Sequence, residues 1–290
     1  MTNLPHLASR LFNTPLAILP GKVEIVMAAL GERFGITHLF RPDGQQLALA
    51  APMAFMGDDG AGREPRRGYD LVAGVAVVQV EGTLVHKNGT LRPYSGMTGY
   101  DGIRLNVLQA LEDPKVKGIT LDIDSPGGEV AGCFDLVDTI RAAGRRKPVR
   151  AILNESACSA AYAIASAASW ITVPRTGVAG SIGVVWMHVD FSQALTDAGI
   201  AVTLLTYGAL KAEGNEFQPL AKDAAARIQA DIDATGDLFV NTVARNRKMS
   251  AAAVKSTEAG TFMGAAAVKA GLADAVMAPD AALHEFVSTL

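Results

Sequence analysis

Apolar positions along this chain fall into two rhythms, short continuous runs and helical stripes, and the two alternate. Val75-Ala76-Val77-Val78-Gln79-Val80 is an apolar run ending at Glu81-Gly82, which predicts a buried strand. Residues 103–111 predict a helix that stops near Asp113-Pro114, and residues 118–124 the next strand. Over residues 129–143, Val130, Phe134, Val137 and Ile140 recur at helical spacing. A strand over 149–153, a helix over 159–168, and strands over 170–173 and 182–188 follow. A long helix is expected from Leu220 to about Lys248, with Leu220, Ala224, Ile228, Ile232, Thr235, Phe239 and Val243 as its apolar stripe and Gly236 as its weak point. Repeated strand–helix alternation implies an α/β fold with parallel strands and right-handed crossovers.

The start of the chain reads differently. Residues 11–40 carry an irregular apolar face (Val23, Ile25, Val26, Ala29, Leu30, Phe34) and predict a partly helical segment. Residues 57–68 are rich in glycine and mixed charge and predict a flexible linker. The expected organisation is an N-terminal segment with linker over 1–68 and a main domain over 69–290.

Composition narrows the class. Of 290 residues, 49% are hydrophobic and 19% charged, enough for a large core. A net charge of −3 argues against a surface that coats nucleic acid. Two cysteines, Cys133 and Cys158, exclude a disulfide scaffold, and the five histidines show no metal-ligand spacing. Residues 156–174 carry no formal charge, but their Ala and Ser content favours a buried helix and strand over a membrane span. With no secretory signal at the start, a soluble cytoplasmic protein is expected, with no metal and no cofactor.

Two segments could carry chemistry. Asp124-Ser125-Pro126-Gly127-Gly128-Glu129 stands between a predicted strand and helix. It is either an ordinary turn or one whose Gly127 and Gly128 amides face a developing oxyanion. Asp122 and Asp124 share a strand face, and no third ligand follows at metal-binding spacing. In Asn154-Glu155-Ser156-Ala157-Cys158-Ser159-Ala160-Ala161, Ser159 is either a helix N-cap or an exposed nucleophile among small neighbours. Two bases are available by residue type. His188 has Asp190 nearby. Lys211 would act only if desolvation lowered its pKa. The Gly-x-Ser-x-Gly elbow is absent, which disfavours an α/β-hydrolase.

Taken together, Ser125-Pro126-Gly127-Gly128, Ala157-Cys158-Ser159-Ala160-Ala161-Tyr162 and Thr176-Gly177-Val178-Ala179-Gly180-Ser181-Ile182-Gly183-Val184 resemble the signal peptide peptidase A group of serine peptidases, family S49. The resemblance implies a ClpP/crotonase-like fold, a repeated β-β-α superhelix. It places Ser159 on the nucleophile, Lys211 on the general base, Ser181 on the hydroxyl that positions the lysine, and Gly127 and Gly128 on the oxyanion hole. Asn13-Thr14-Pro15-Leu16, Pro93-Tyr94-Ser95-Gly96-Met97-Thr98-Gly99-Tyr100 and Lys211-Ala212-Glu213-Gly214-Asn215 are similar to the capsid-assembly branch of that family in lambda-like tailed phages. That branch implies scaffold, portal and self as polypeptide substrates inside the immature capsid, a homo-oligomer with active sites near subunit interfaces, and no nucleic acid or membrane partner. Ser159-Ala160-Ala161 departs from the family's usual Ser-Gly or Ser-Ala-Gly. The chain also ends at Leu290 without the scaffolding region that phage members often carry, which leaves a processed form, a fragment or a variant without a fused scaffold as the expectation. Three rivals remain at this point: a Ser159–His188–Asp triad, a crotonase-like acyl-CoA enzyme, and an inactive assembly scaffold.

Overall fold

The computed structural model describes residues 14–19, 22, 39–40, 46–47 and 67–290. In chain order the strands are β1 (Leu16–Ile18), β2 (Leu39–Phe40), β3 (Gln46–Leu47), β4 (Asp70–Val72), β5 (Val75–Val85), β6 (Met97–Gly99), β7 (Gly118–Glu129), β8 (Val149–Cys158), β9 (Trp170–Val173), β10 (Val178–Gly180), β11 (Thr261–Met263) and β12 (Ala275–Val276). The helices are α1 (Tyr100–Glu112), α2 (Cys133–Ala143), α3 (Ala160–Ser166), α4 (Ser192–Asp197), α5 (Lys222–Arg247), α6 (Ala251–Lys255), α7 (Ala265–Lys269) and α8 (Pro279–Ser288).

The predicted alternation is present. β5, β7 and β8 pair in parallel, and β8 pairs in parallel with β9 along residues 150–152 and with β10 along residues 156–158. Val78, Val80, Ile119, Leu121, Ile123 and Leu153 are fully buried in this sheet, as expected of parallel strands covered by helices. The uncharged stretch after Ser156 forms the end of β8, then α3, then β9. Every residue of α3 is buried, and its alanines bring the helix close to β7 and β8. Among the described residues no helix is long and apolar enough to cross a membrane.

Three expectations need correction. Residues 16–18 are strand where a helical segment was expected, and β1 joins the main sheet antiparallel to β7. The other residues of the expected 11–40 helix lie largely outside the described residues, as does the 57–68 linker up to Arg67. Residues 182–188 are not a strand. Only Val185 forms an isolated bridge, to Leu16, because no neighbouring strand pairs with the rest of that run. The Ser125-Pro126-Gly127-Gly128 segment is not a turn. β7 runs through it to Glu129 with register shifts near Ser125, and the turn falls at residues 130–132.

The long helix α5 matches its predicted span and is tied down at its C-terminal end. Arg247 makes a bidentate ion pair with Asp274 (3.0 and 2.8 Å), and Asp274 also accepts from the Ile171 amide at 2.7 Å. The pair links the helix to β9 and to the turn after α7. Mid-helix, a Cβ added at Gly236 meets no atom within 4 Å. Gly236→Ala should therefore stabilise the fold by ~1 kcal/mol through helix propensity and reduced unfolded-state entropy, read as a higher urea midpoint at unchanged slope.

Candidate active site

Ser159 stands where β8 ends and α3 begins. Its backbone lies at φ 56°, ψ −122°, a region that non-glycine residues rarely occupy. Its side chain does not cap α3, so the N-cap alternative fails. The Ser159 amide donates to the Gly180 carbonyl (2.8 Å), its carbonyl accepts from Ala163 (2.9 Å), and its Oγ donates to the Gly183 carbonyl at 3.3 Å. The surrounding ladders thus hold a strained backbone, a cost of ~1–3 kcal/mol that persists only when neighbours over-determine it.

The chain on either side of Ser159 runs past it, as a strand on one side only. β7 continues to Glu129, still paired with β5 at Gly127 and Gly128. On the other side, Ser181 (φ 54°) follows β10, anchored by its amide to the Gly260 carbonyl at 2.8 Å. The chain then continues to Val185. Between these two flanks lies a gap one strand wide, and β1 fills it.

Glycine at 127 and 128 is a steric requirement. A Cβ on Gly127, at φ +103°, would lie 2.1 Å from the Ala17 carbonyl oxygen, 2.9 Å from the Cys158 carbonyl oxygen and 3.0 Å from Ser159 Cβ. One on Gly128 would lie 1.8 Å from the Leu84 carbonyl oxygen. The structure therefore brings Gly127 beside Ser159. The Gly127 amide donates to Ser125 Oγ (3.1 Å), which itself donates to the Gly82 carbonyl (2.6 Å). Ser125, overlooked as a site residue in the sequence, thus buttresses this segment. Tyr100 does the same from the far edge, donating to the Glu129 carbonyl at 2.6 Å, while Glu129 accepts from the His86 amide at 2.6 Å.

The two candidate bases are placed differently from Ser159. His188 stacks on Trp186 with ring centroids 5.8 Å apart. Both its ring nitrogens lack a hydrogen-bond partner among the described residues, so it makes no bond to Ser159. Lys211 is exposed on the turn that precedes α5, its amide bonded to the Gly208 carbonyl at 3.2 Å. Within one chain no hydrogen bond joins it to Ser159 or Ser181. That turn is braced on α5 by Arg227, whose Nε donates to Glu213 at 2.9 Å. The residues leading to Lys211 expose large apolar side chains: Leu205 (92%), Tyr207 (102%) and Leu210 (57%).

A family model described as Peptidase family S49 matches residues 141–288, a stretch that includes Ser159, Ser181 and Lys211. The chain belongs to peptidase family S49. This S49 chain is 42% identical over 291 residues to the head-tail preconnector protein GP5 of Enterobacteria phage P21, covering 99% of this chain and 58% of that protein. It is 41% identical over 278 residues to the capsid assembly protease C of Escherichia phage lambda, covering 94% and 63%. It is also 28% identical over 211 residues to protease 4 of Haemophilus influenzae, covering 72% and 33%. The S49 chain thus spans about three-fifths of the length of the two phage proteins.

A carboxylate group lies near the site, on β5 and β7. Burial, then the neighbouring Glu81 and Asp124 charges, push Asp122 from its ordinary 3.8 to about 6, against the opposing hydrogen bond from Asn154. Asp124 accepts from the Ser156 amide at 3.1 Å, which ties β7 to the approach to Ser159. The raised Asp122 value means that the folded state holds its proton more tightly than the unfolded chain. This contribution to stability is complete below pH 3.8 and is lost as pH rises through about 6. Asp122→Asn should remove that loss and leave the variant more stable than wild type at neutral pH, by thermal melts across the range. Gly127→Ala should cost at least ~2 kcal/mol, because an alanine there carries a strained φ as well as the clash, read by urea denaturation.

Proposed function

We propose that this chain is a serine endopeptidase that uses a Ser159–Lys211 dyad and acts as a phage capsid maturation protease. The observation that carries the reading is Ser159 itself: a hydroxyl that does not cap its helix, on a strained backbone, beside a strand-wide slot and against a glycine segment that admits no side chain. Membership of family S49 supports the reaction class. Similarity to the two phage proteins supports the capsid setting, with scaffold, portal and the chain itself as substrates. The strand–helix alternation on a mostly parallel sheet is compatible with the ClpP/crotonase-like form of the fold.

In this mechanism neutral Lys211 takes the proton from Ser159 Oγ, and the alkoxide attacks a peptide carbonyl. The Gly128 amide, with Gly127 beside it, holds the oxyanion. Lys211 then protonates the leaving amine, and water hydrolyses the acyl-enzyme. Ser181 orients the lysine. Its hydroxyl has no hydrogen-bond partner among the described residues, which suits a group that waits for one. A lysine in water is a cation and no base. The exposed apolar run at Leu205, Tyr207 and Leu210 supports a second copy as the source of desolvation, with Lys211 reaching Ser159 from a neighbouring subunit.

Ser159→Ala and Lys211→Ala should each lower casein hydrolysis by about 10³-fold or more. Mixing the two inactive variants should restore part of the activity, since some interfaces then pair an intact Ser159 with an intact Lys211. Full activity in Lys211→Ala overturns the dyad. Lost activity without recovery on mixing places both groups in one chain.

A further inference from the structure

The slot beside Ser159 is occupied by the chain's own residues 15–19. On one side they pair antiparallel with residues 127–129, in the register Leu16↔Glu129, Ala17↔Gly128, Ile18↔Gly127. The Leu19 amide donates to the Pro126 carbonyl (3.0 Å), and Val130 donates to the Pro15 carbonyl (3.4 Å). On the other side Leu16 exchanges both main-chain bonds with Val185, at 2.8 and 2.9 Å. Leu16, Ala17 and Ile18 are 4%, 2% and 4% exposed.

The register places one residue at the chemistry. Hydrogen-bonded and non-bonded pairs alternate along an antiparallel ladder. Bonds at Pro15/Val130 and Leu19/Pro126 therefore put Ala17 and Gly128 in the bonded phase, with the Ala17 carbonyl facing the Gly128 amide. The same oxygen is the nearest atom to where a Gly127 side chain would begin, and Ser159 Cβ borders that point as well. Ala17 thus stands where the acyl residue of a peptide substrate would stand, its carbonyl toward the amide assigned to the oxyanion. Main-chain pairing on both edges is also how an extended polypeptide is recognised whatever its sequence.

We propose that residues 15–19 are a resident pseudo-substrate, which fills the polypeptide groove at Ser159 and must withdraw before another chain can enter. The proposal rests on the peptidase reading for the identity of the groove. It has a thermodynamic consequence. A tethered segment competes at a high effective concentration, so a free peptide of the same sequence gains entry only when the tethered copy is displaced.

Leu16→Asp puts a carboxylate at a buried site, and Ala17→Pro removes a main-chain donor that faces Gly128. Either releases the segment, and the one that keeps the wild-type circular dichroism is used. In a Ser159→Ala background, a fluorescent peptide Asn-Thr-Pro-Leu-Ala-Ile-Leu-Pro should bind the released chain about 10-fold or more tighter than the chain with its own segment seated, by anisotropy. With Ser159 intact, the released chain should hydrolyse casein faster than wild type. Equal peptide binding by the two chains overturns the proposal, as does failure of both variants to fold, which makes the segment an integral strand. Preferential peptide binding with no Ser159-dependent hydrolysis in any form leaves the groove and removes the peptidase reading. Ser159-dependent hydrolysis with equal peptide binding does the reverse.

Discussion

Main chain packs against main chain at Gly127 and Gly128, and the site is organised around that contact. Leu84 presses on Gly128 from β5, and Cys158 and Ala17 press on Gly127 from β8 and β1. Four segments converge there with no side chain between them. This brings the end of β7 within reach of Ser159 and leaves its amides at main-chain distance from whatever occupies the slot. Any side chain at these two positions would push β5, β8 or β1 away and shift the end of β7 from its place beside Ser159.

Ser159 bears the conformational cost of that arrangement. Parallel pairing carries β8 to Cys158, α3 must start at Ala160 to bury its alanines, and the one residue between them absorbs the change of direction at positive φ. Ser181 absorbs a similar bend after β10. Both hydroxyl residues are buried at the ends of sheet strands. Lys211 sits on an exposed turn braced on α5 through the Arg227–Glu213 pair. The division has a physical logic. Under the proposed mechanism, a nucleophile and oxyanion donors gain from being built into the core, whereas a base supplied by a second copy would be withheld until chains assemble.

Occupation of the slot by residues 15–19 fits the same logic. A three-residue strand with main-chain bonds on both edges and buried apolar side chains is replaceable by an extended chain that offers the same bonds and similar side chains. A long amphipathic helix docked on the core would not be.

Much of the architecture follows from residue order alone. The apolar runs that became β5, β7, β8 and β9 and the stripe that became α5 were legible because burial of both sheet faces and of one helix face imposes periodic apolarity on the chain. The place of Ser159 between a strand and a helix was legible, but its small neighbours left an N-cap open beside a nucleophile, and only the folded backbone removes the cap. The 182–188 run misled because its apolar residues line a flank that pairs only at Val185; apolarity reports burial, and strand pairing depends on a neighbour. The extension of β7 through Pro126 and the glycines was hidden for a related reason, since glycine and proline mark turns locally and only tertiary contact makes them a ladder. The seating of residues 15–19 beside Gly128, and the exposure of Lys211 with no hydrogen bond to Ser159 within one chain, depend on contacts between segments far apart in sequence. No local pattern encodes those contacts, and the folded sheet decides them.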